Sequence, residues 1–412
     1  GRNTESSGKC KKMEAKERKI LQTVKDKLTD DERVALIAET QKLQALQLAP
    51  DSPEALSTLP SLEIQDVPKE IEKYPLEIKK QGDAKILYHD LFTNGIAYTQ
   101  IGFNTQSVPA ELISYIPLLG SLMLGMGTGK HHYTEISKLI GMHTGGIRTS
   151  HFSSATVQNR HEVLSYINFS GKALMEKVDN LFDLFDELLS DYNFDDLKRL
   201  TEIIRSAKSD MEDSIVPHGN HYVAARLQSY QSRLGQFDER TDGITYYHFL
   251  EDLLARVEKD PVAVAGQFRQ VAEYVFTQKN ALFNITSSQE DYKKIEKRIA
   301  GTVNALSSKQ WDVADWPLQA VPRNEGFLTA SNVQYVGKGA NLYEMGFKHS
   351  GQFEVLKGLL RTGFLWDKVR VHGGAYGSSN SFDFFTGDYS LLSYRDPNLG
   401  ETLAVYDEIA DF

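Results

Sequence analysis

One cysteine, Cys10, stands among 412 residues, so no internal disulfide can staple this chain. That usage suits a reducing compartment, and an intracellular location, cytoplasm or an organelle matrix, is expected. Long apolar runs are also missing. The longest, Ile113 to Gly127, falls about five residues short of the roughly 20 that cross a bilayer and contains Pro117 and three glycines. It reads as a buried helix, and no membrane partner is expected. Gly1 to Lys12 is polar and basic, unlike a secretory signal. A net charge of −10 argues against nucleic acid as a partner, because phosphate binding needs clustered Lys and Arg. An acidic wall suits basic peptides instead.

Complete catalytic motifs are equally scarce. His161 and Glu162 open HEVLS, which has Ser165 where a zinc peptidase HExxH needs its second histidine, and the local pattern is strand rather than helix. His132 and Glu135 in HHYTEI give HxxE, but the inverted motif HxxEH finds Ile136 in place of its last histidine. His218 and His221 have no nearby carboxylate triad. Capping and hydrogen bonding are the expected duties of these side chains. A self-contained metal enzyme built on His131, His132 and Glu135 is the opposing account, and it requires stoichiometric zinc. There is no GxSxG, and GMGTGK at Gly125 to Lys130 has the spacing of neither a phosphate loop nor a dinucleotide fingerprint. It is a turn between helices. Cys10, in a polar tail among lysines, is not a catalytic thiol.

What is present is an ordinary globular composition, 41% hydrophobic and 25% charged. Residues 1–49 hold two helices, Glu14 to Leu28 and Arg33 to Leu48, with Thr29 and Glu32 spaced as a capping box; they predict an antiparallel hairpin. Residues 50–75 carry five prolines and read as an extended linker. Residues 76–308 predict a first α+β domain. In it Thr93, Asn94 and Gly95 signal a β-hairpin, and buried helical stripes include Leu112, Ile116, Leu119 and Leu122, then Val178, Leu181, Phe185 and Leu188. Helix follows from Tyr222 to Gln278, then a strand at Asn280 to Thr286 and a helix at Gln289 to Leu306. Residues 309–324 connect to a second α+β unit, 325–412. There strands are expected at Val333 to Val336 and Leu342 to Phe347, with a helix from Gln352 to Leu365.

The two units repeat one another. TGGIRTS (Thr144 to Ser150) and HGGAYGS (His372 to Ser378) align at an offset of 228 (373 − 145), and LSY at Leu164 recurs at Leu392 with the same offset (392 − 164). A shared offset means a duplicated domain. Only 18 residues follow Tyr394 (412 − 394), fewer than follow the first LSY strand, so the second domain is expected to be truncated at its C-terminus.

Candidate chemistry is confined to RVHGGAYG, Arg370 to Gly377. Arg370 supplies a fixed charge with several donors and Tyr376 an OH, both able to hold a carbonyl oxygen as it becomes negative. Gly373 and Gly374 would let an extended peptide approach closely. The residues alone permit a blander account, in which the glycines turn the chain, Tyr376 packs and Arg370 is solvated.

The segment KVRVHGGAYGSSNSFDFFTGDYSLLSYRDPNLGETL (Lys368 to Leu403) resembles the presequence protease and falcilysin branch of the pitrilysin (insulinase) metallopeptidase superfamily. The likeness extends back through TGGI, LFTNGIAY (Leu91 to Tyr98) and LAPDSPEALSTLPSLEIQDVP (Leu48 to Pro68). It implies duplicated pitrilysin-like α/β sandwich domains, each an antiparallel sheet with helices, preceded by a helical hairpin that joins two halves of a closed chamber. This chain would be the C-terminal half of a zinc metalloendopeptidase that degrades short unstructured peptides of the targeting type. Zinc would sit in the N-terminal catalytic half, with none bound here. By the same resemblance Arg370 and Tyr376 are catalytic and, with Gly373 and Gly374, bind substrate backbone. This chain alone would be inactive. The alternative is a non-catalytic subunit or scaffold of the same fold that binds protein partners.

Overall fold

Residues 18–48, 51–319 and 324–412 are described in this computed structural model, and they divide into a small unit ending at Lys73 and a large one from Tyr74. In the small unit α1 (residues 18–27) and α2 (Asp30–Leu48) meet at Thr29. The Thr29 hydroxyl accepts the Glu32 amide at 3.3 Å, and the Glu32 carboxylate accepts the Thr29 amide at 2.8 Å, which completes the capping box. The expected helix start at Glu14 lies outside the described residues. A short helix, α3 (Pro53–Ser57), capped by Ser52, interrupts a mostly irregular and exposed stretch.

The large unit begins with β1 (Glu77–Gln81), β2 (Ala84–Asp90) and β3 (Ile96–Asn104). Asn94 and Gly95 take φ of 52° and 71° in the turn between β2 and β3, as Asn and Gly tolerate. The two strands do not pair as the predicted hairpin. β6 (Ala281–Ser287), whose alternate residues are buried, inserts between them. With β4 (Ile147–Ala155) and β5 (Val163–Leu174) the sheet runs β1-β2-β6-β3-β5-β4, antiparallel except where β2 meets β6.

Helices pack against this sheet. The apolar run around Pro117 is a 3-10 turn, Ala110–Tyr115, continuing into α4 (Ile116–Gly125); Leu112, Ile116, Leu119 and Leu122 are all buried. Among the described residues no helix is long and apolar enough to cross a membrane. α5 (Tyr133–His143) leads into β4, and α6 (Val178–Ser190) buries Val178, Leu181, Phe185 and Leu188 completely. Each such burial stabilises by about 1.5–3 kcal/mol. Then come α7 (Leu197–Ile215), α8 (Gly219–Ser229), α9 (Arg233–Thr241), α10 (Ile244–Lys259) and α11 (Pro261–Val275). α12 (Gln289–Ala305) closes the layer, and its aromatic, aliphatic and sheet partners share one hydrophobic core.

A second, three-stranded sheet has the order β7-β9-β8, with β7 (Gly337–Asn341), β8 (Gly377–Phe382) and β9 (Asp388–Tyr394), all antiparallel. One strand therefore replaces the two expected at Val333 to Val336 and Leu342 to Phe347, and it lies between them. β7 reads GKGAN, a poor strand sequence by propensity. Its glycines are required by closeness to α8 and its C-terminal continuation. A Cβ on Gly337 would lie 2.3 Å from Val223 Cγ1, and one on Gly339 2.7 Å from Gln231 Nε2.

The expected helix from Gln352 also runs further than predicted. α13 (Gly351–Leu359) passes into a π-helix, Leu360–His372, and then α14 (Gly400–Asp407) follows β9. The buried residues of the π-helix, Leu360, Phe364, Leu365 and Val369, recur every four or five positions, which matches its wider turn.

The duplication is visible in three dimensions. β3-β5-β4 and β7-β9-β8 have the same strand order, each with a helix, Gly-Gly and outer strand following the first strand and the last strand inserted between the two. Gly146 and Gly374, equivalent by the 228-residue offset, both have positive φ, 106° and 79°. Ser165 and Ser393, the serines of the two LSY strands, are both fully buried, and their hydroxyls accept from Thr105 and from the Val336 amide.

Candidate functional site

Arg370 belongs to the last turn of the π-helix, where a cation is favoured by the carbonyl end of the helix dipole. Its guanidinium carbon lies 3.8 Å from the ring centroid of Trp366, one turn earlier. Among the described residues no carboxylate pairs with it. Asp367 faces His372 instead, at 3.4 Å.

The chain leaves the helix through Gly373 and Gly374, and the two glycines serve different ends. The Gly373 amide donates to Lys368 O at 3.0 Å, closing the π-turn, and a Cβ there would stand 2.5 Å from Val369 O. Gly374 has room for a side chain, its nearest neighbour being Pro397 at 3.7 Å, but its φ of 79° disfavours one. Asn398 donates to the Gly373 carbonyl and fixes the corner.

Tyr376 follows at the start of β8. Its amide donates to the carbonyl of Tyr394 at 3.0 Å, and its ring meets that of Tyr394 edge-on at 5.8 Å. Tyr394 in turn meets Tyr335 edge-on at 5.5 Å. Both outer hydroxyls are anchored at the corner between α7 and α8: Tyr335 donates to Val216 O and Tyr394 to Pro217 O. The Tyr376 ring itself is 68% exposed, so its hydroxyl is available to a ligand.

Arg370, Gly374 and Tyr376 thus line one open depression, together with Trp366 and Arg395. Gly373, at the corner, is not among the residues that line it. Trp366, Tyr394 and Arg395 are not among the site residues expected from sequence. The signal was available for Trp366, four residues before Arg370 on a helix, and for Arg395 within SYRDPN. Their grouping depends on the fold. The chemistry on offer is a wall of N–H and O–H donors with fixed positive charge and open backbone, suited to holding extended peptide and a carbonyl oxygen that gains charge.

The histidines have local partners. His131 pairs with Glu187 at 2.9 Å, His132 caps α5 with Glu135 in a capping box, His218 contacts Ser214 O at 3.3 Å, and His221 pairs with Asp242 at 3.0 Å. His161 and Glu162 sit in the turn before β5 while Ser165 is within it. Among the described residues no three His, Cys, Asp or Glu side chains converge as a metal ligand set.

Two family profiles cover most of the chain: one described as the associated region of subfamily C of the M16 peptidases matches residues 5–253, and one described as PreP C-terminal domain matches residues 324–412. Protein HypA of Clostridium perfringens is 32% identical over 97% of this chain and 41% of its own length. Presequence protease 1, chloroplastic/mitochondrial, of Arabidopsis thaliana is 33% identical over 98% of this chain and 37% of its own. The chain therefore spans about two fifths of the length of the curated relatives it matches. Among solved structures, a peptidase M16 inactive domain from Pseudomonas fluorescens superposes with a TM-score of 0.55 at 12% identity, over 82% of this chain and 78% of that one. A conserved protein from Enterococcus faecalis gives 0.54 at 15%, over 80% and 76%. These two likenesses are of fold.

Proposed function

Because the chain belongs to subfamily C of the M16 peptidases, in its presequence protease branch, we propose that it is the half of a zinc metalloendopeptidase that grips the peptide and holds no metal. The hairpin (1–49) and linker (50–75) join it to an N-terminal catalytic half, and two related domains, 76–308 and 325–412 with a connection at 309–324, form one wall of a closed chamber. The substrates are short unstructured peptides of the targeting type, and the compartment is an organelle matrix, as the names of the mitochondrial and chloroplastic relatives suggest.

The observation that carries this reading is the convergence of Arg370 and Tyr376 on one cleft. The backbone between them comes close to the surface at Gly374, leaving a peptide main chain free to lie against it. Arg370 carries a permanent charge with several N–H donors and no competing carboxylate among the described residues, so a peptide oxygen beside the Gly-Gly corner can accept from it. Tyr376 donates from a ring held by Tyr394. As a scissile carbonyl becomes tetrahedral its oxygen gains charge, and donors already aimed at that position stabilise the transition state more than the substrate.

The test is to combine this chain with an N-terminal catalytic half of the same enzyme and follow cleavage of an unstructured peptide. Arg370→Ala and Tyr376→Phe should each lower kcat/KM by about 10²-fold or more, as loss of an oxyanion donor does. Unchanged cleavage by both variants would remove the assigned roles.

A further inference from the structure

Arg395 is a second arginine in the same cleft, and nothing in the family reading accounts for it. It follows β9 with φ of 49°, a left-handed conformation that a long side chain rarely adopts. Glycine would relieve that strain, yet an arginine stands there. Its backbone carbonyl accepts from the Tyr376 amide at 3.3 Å, which ties its position to the tyrosine, and its guanidinium carbon sits 5.5 Å from the ring centroid of Tyr394. The neighbouring acid does not neutralise it. Asp396 is turned into the interior, where Thr402 and the Asn398 amide donate to its carboxylate at 2.8 and 2.9 Å. Among the described residues no carboxylate pairs with either Arg370 or Arg395. In a chain of net charge −10 with acids to spare, two unneutralised guanidiniums lining one depression form a local anion site.

We propose that Arg395 determines specificity by binding a carboxylate of the peptide that Arg370 and Tyr376 hold. The inference rests on the reading of the cleft as a peptide site. The division of labour follows from placement: Arg370 and Tyr376 flank the Gly-Gly corner where main chain can approach, while Arg395 enters the same cleft from the end of β9, outside that corner, and is left to meet a group that carries its own charge. Arginine matches a carboxylate with two parallel N–H donors, a geometry that a main-chain carbonyl cannot use. The carboxylate is either the peptide's C-terminus or an acidic side chain.

The experiment is titration of this chain with three labelled unstructured peptides, identical except for charge: a free C-terminal acid with neutral side chains, the corresponding C-terminal amide, and that amide with one internal Glu. The acid, the Glu peptide or both should bind at least fivefold tighter than the neutral amide, and the peptide that does so names the source of the carboxylate. Arg395→Asn, which keeps a residue tolerant of left-handed backbone, should abolish the preference, read as the ratio of charged-peptide to amide affinity, while Arg395→Lys retains part of it. Arg370→Ala should weaken all three alike. Equal binding of the three peptides by the unmodified chain overturns the role of Arg395 and leaves the peptide site standing. Failure of all three to bind, or indifference to Arg370→Ala, overturns the peptide site itself.

Discussion

The hydroxyl of Tyr394 donates to the main-chain carbonyl of Pro217 at 3.1 Å, so a residue of the second sheet is tied to the corner between α7 and α8. Tyr394 also carries the Tyr376 ring on its edge. The ladder Tyr376, Tyr394, Tyr335 therefore connects the cleft to the first, larger layer.

Tyr394→Phe tests that link. It keeps the ring contacts and removes one O–H···O=C bond, at a cost of about 1 kcal/mol in chemical denaturation. Peptide affinity should fall a few-fold although the residue does not line the cleft. A loss of stability with peptide affinity untouched would make the ladder a scaffold only.

The two glycines of the corner should respond differently to the same added methyl. At Gly373 a Cβ meets Val369 O at 2.5 Å, so Gly373→Ala must open the end of the π-helix that aims Arg370, and about 2 kcal/mol or more is expected. At Gly374 the space is free and only φ is wrong, so Gly374→Ala should cost about 1 kcal/mol. Gly146→Ala, with φ of 106° and open surroundings, is the matched control from the first copy and should resemble Gly374→Ala. Denaturant midpoints of the three variants decide the order.

Much of this architecture was legible before any coordinates. The Thr29–Glu32 box, the stripe Val178, Leu181, Phe185, Leu188 and the 228-residue repeat are local or periodic signals, and each corresponds to an element with its physical cause intact. What failed to show were features set by distant partners. β6 separates β2 from β3 although the Asn94-Gly95 turn is correct, because pairing is decided by a strand nearly 200 residues later in sequence (281 − 90 = 191). β7 hides in GKGAN because its glycines answer to α8 rather than to strand propensity. The π-helix that carries Arg370 has no motif of its own. Arg370, Gly374 and Tyr376 come together as expected of neighbours in sequence, whereas Arg395 and Tyr394 join them only through β9.

Arg226 of α8 is the hub of a partly buried ion network. It pairs with Glu325 through Nε at 2.6 Å and Nη2 at 2.9 Å, and with the buried Glu239 through Nη1 at 3.3 Å. Burial raises the Glu239 carboxyl pKa, and hydrogen bonds from Thr245 and Arg226 oppose that. Arg226→Met would strand the Glu239 charge and should cost about 3 kcal/mol at pH 7. The double variant Arg226→Met, Glu239→Gln should recover a substantial part, because the uncompensated charge is gone. Glu325→Gln should cost less, about 1 kcal/mol, since Glu239 keeps its arginine. Urea unfolding of the unmodified chain, Arg226→Met, Glu239→Gln and the double variant forms the cycle that separates desolvation from pairing.

Two groups near α9 give the chain opposing responses to acid. Burial pushes the Asp238 carboxyl up to about 6, with Asp242, Asp383 and Asp388 adding to the effect and a hydrogen bond from Ser153 resisting it. Burial also pushes His151 down to about 4, and its Nε2 faces the Ser165 hydroxyl at 2.9 Å, as a neutral ring can. The signs follow by linkage. A raised carboxyl favours the folded state at low pH, so the Asp238 contribution is complete below about 4 and is lost as pH rises through 6. A lowered imidazole favours the folded state at high pH, so the His151 contribution is complete above about 6.5 and is lost as pH falls toward 4. Each swing is on the order of 3 kcal/mol, and between pH 4 and 6 they offset one another. Asp238→Asn removes one arm, so its stability relative to the unmodified chain should climb as pH goes from 4 to 7. His151→Gln removes the other, and its relative stability should decline over the same interval. Urea midpoints at four pH values give both difference curves, in which groups common to all proteins cancel. Flat curves for both variants would mean that neither side chain titrates abnormally in the fold, whereas slopes of opposite sign assign the compensation to this pair.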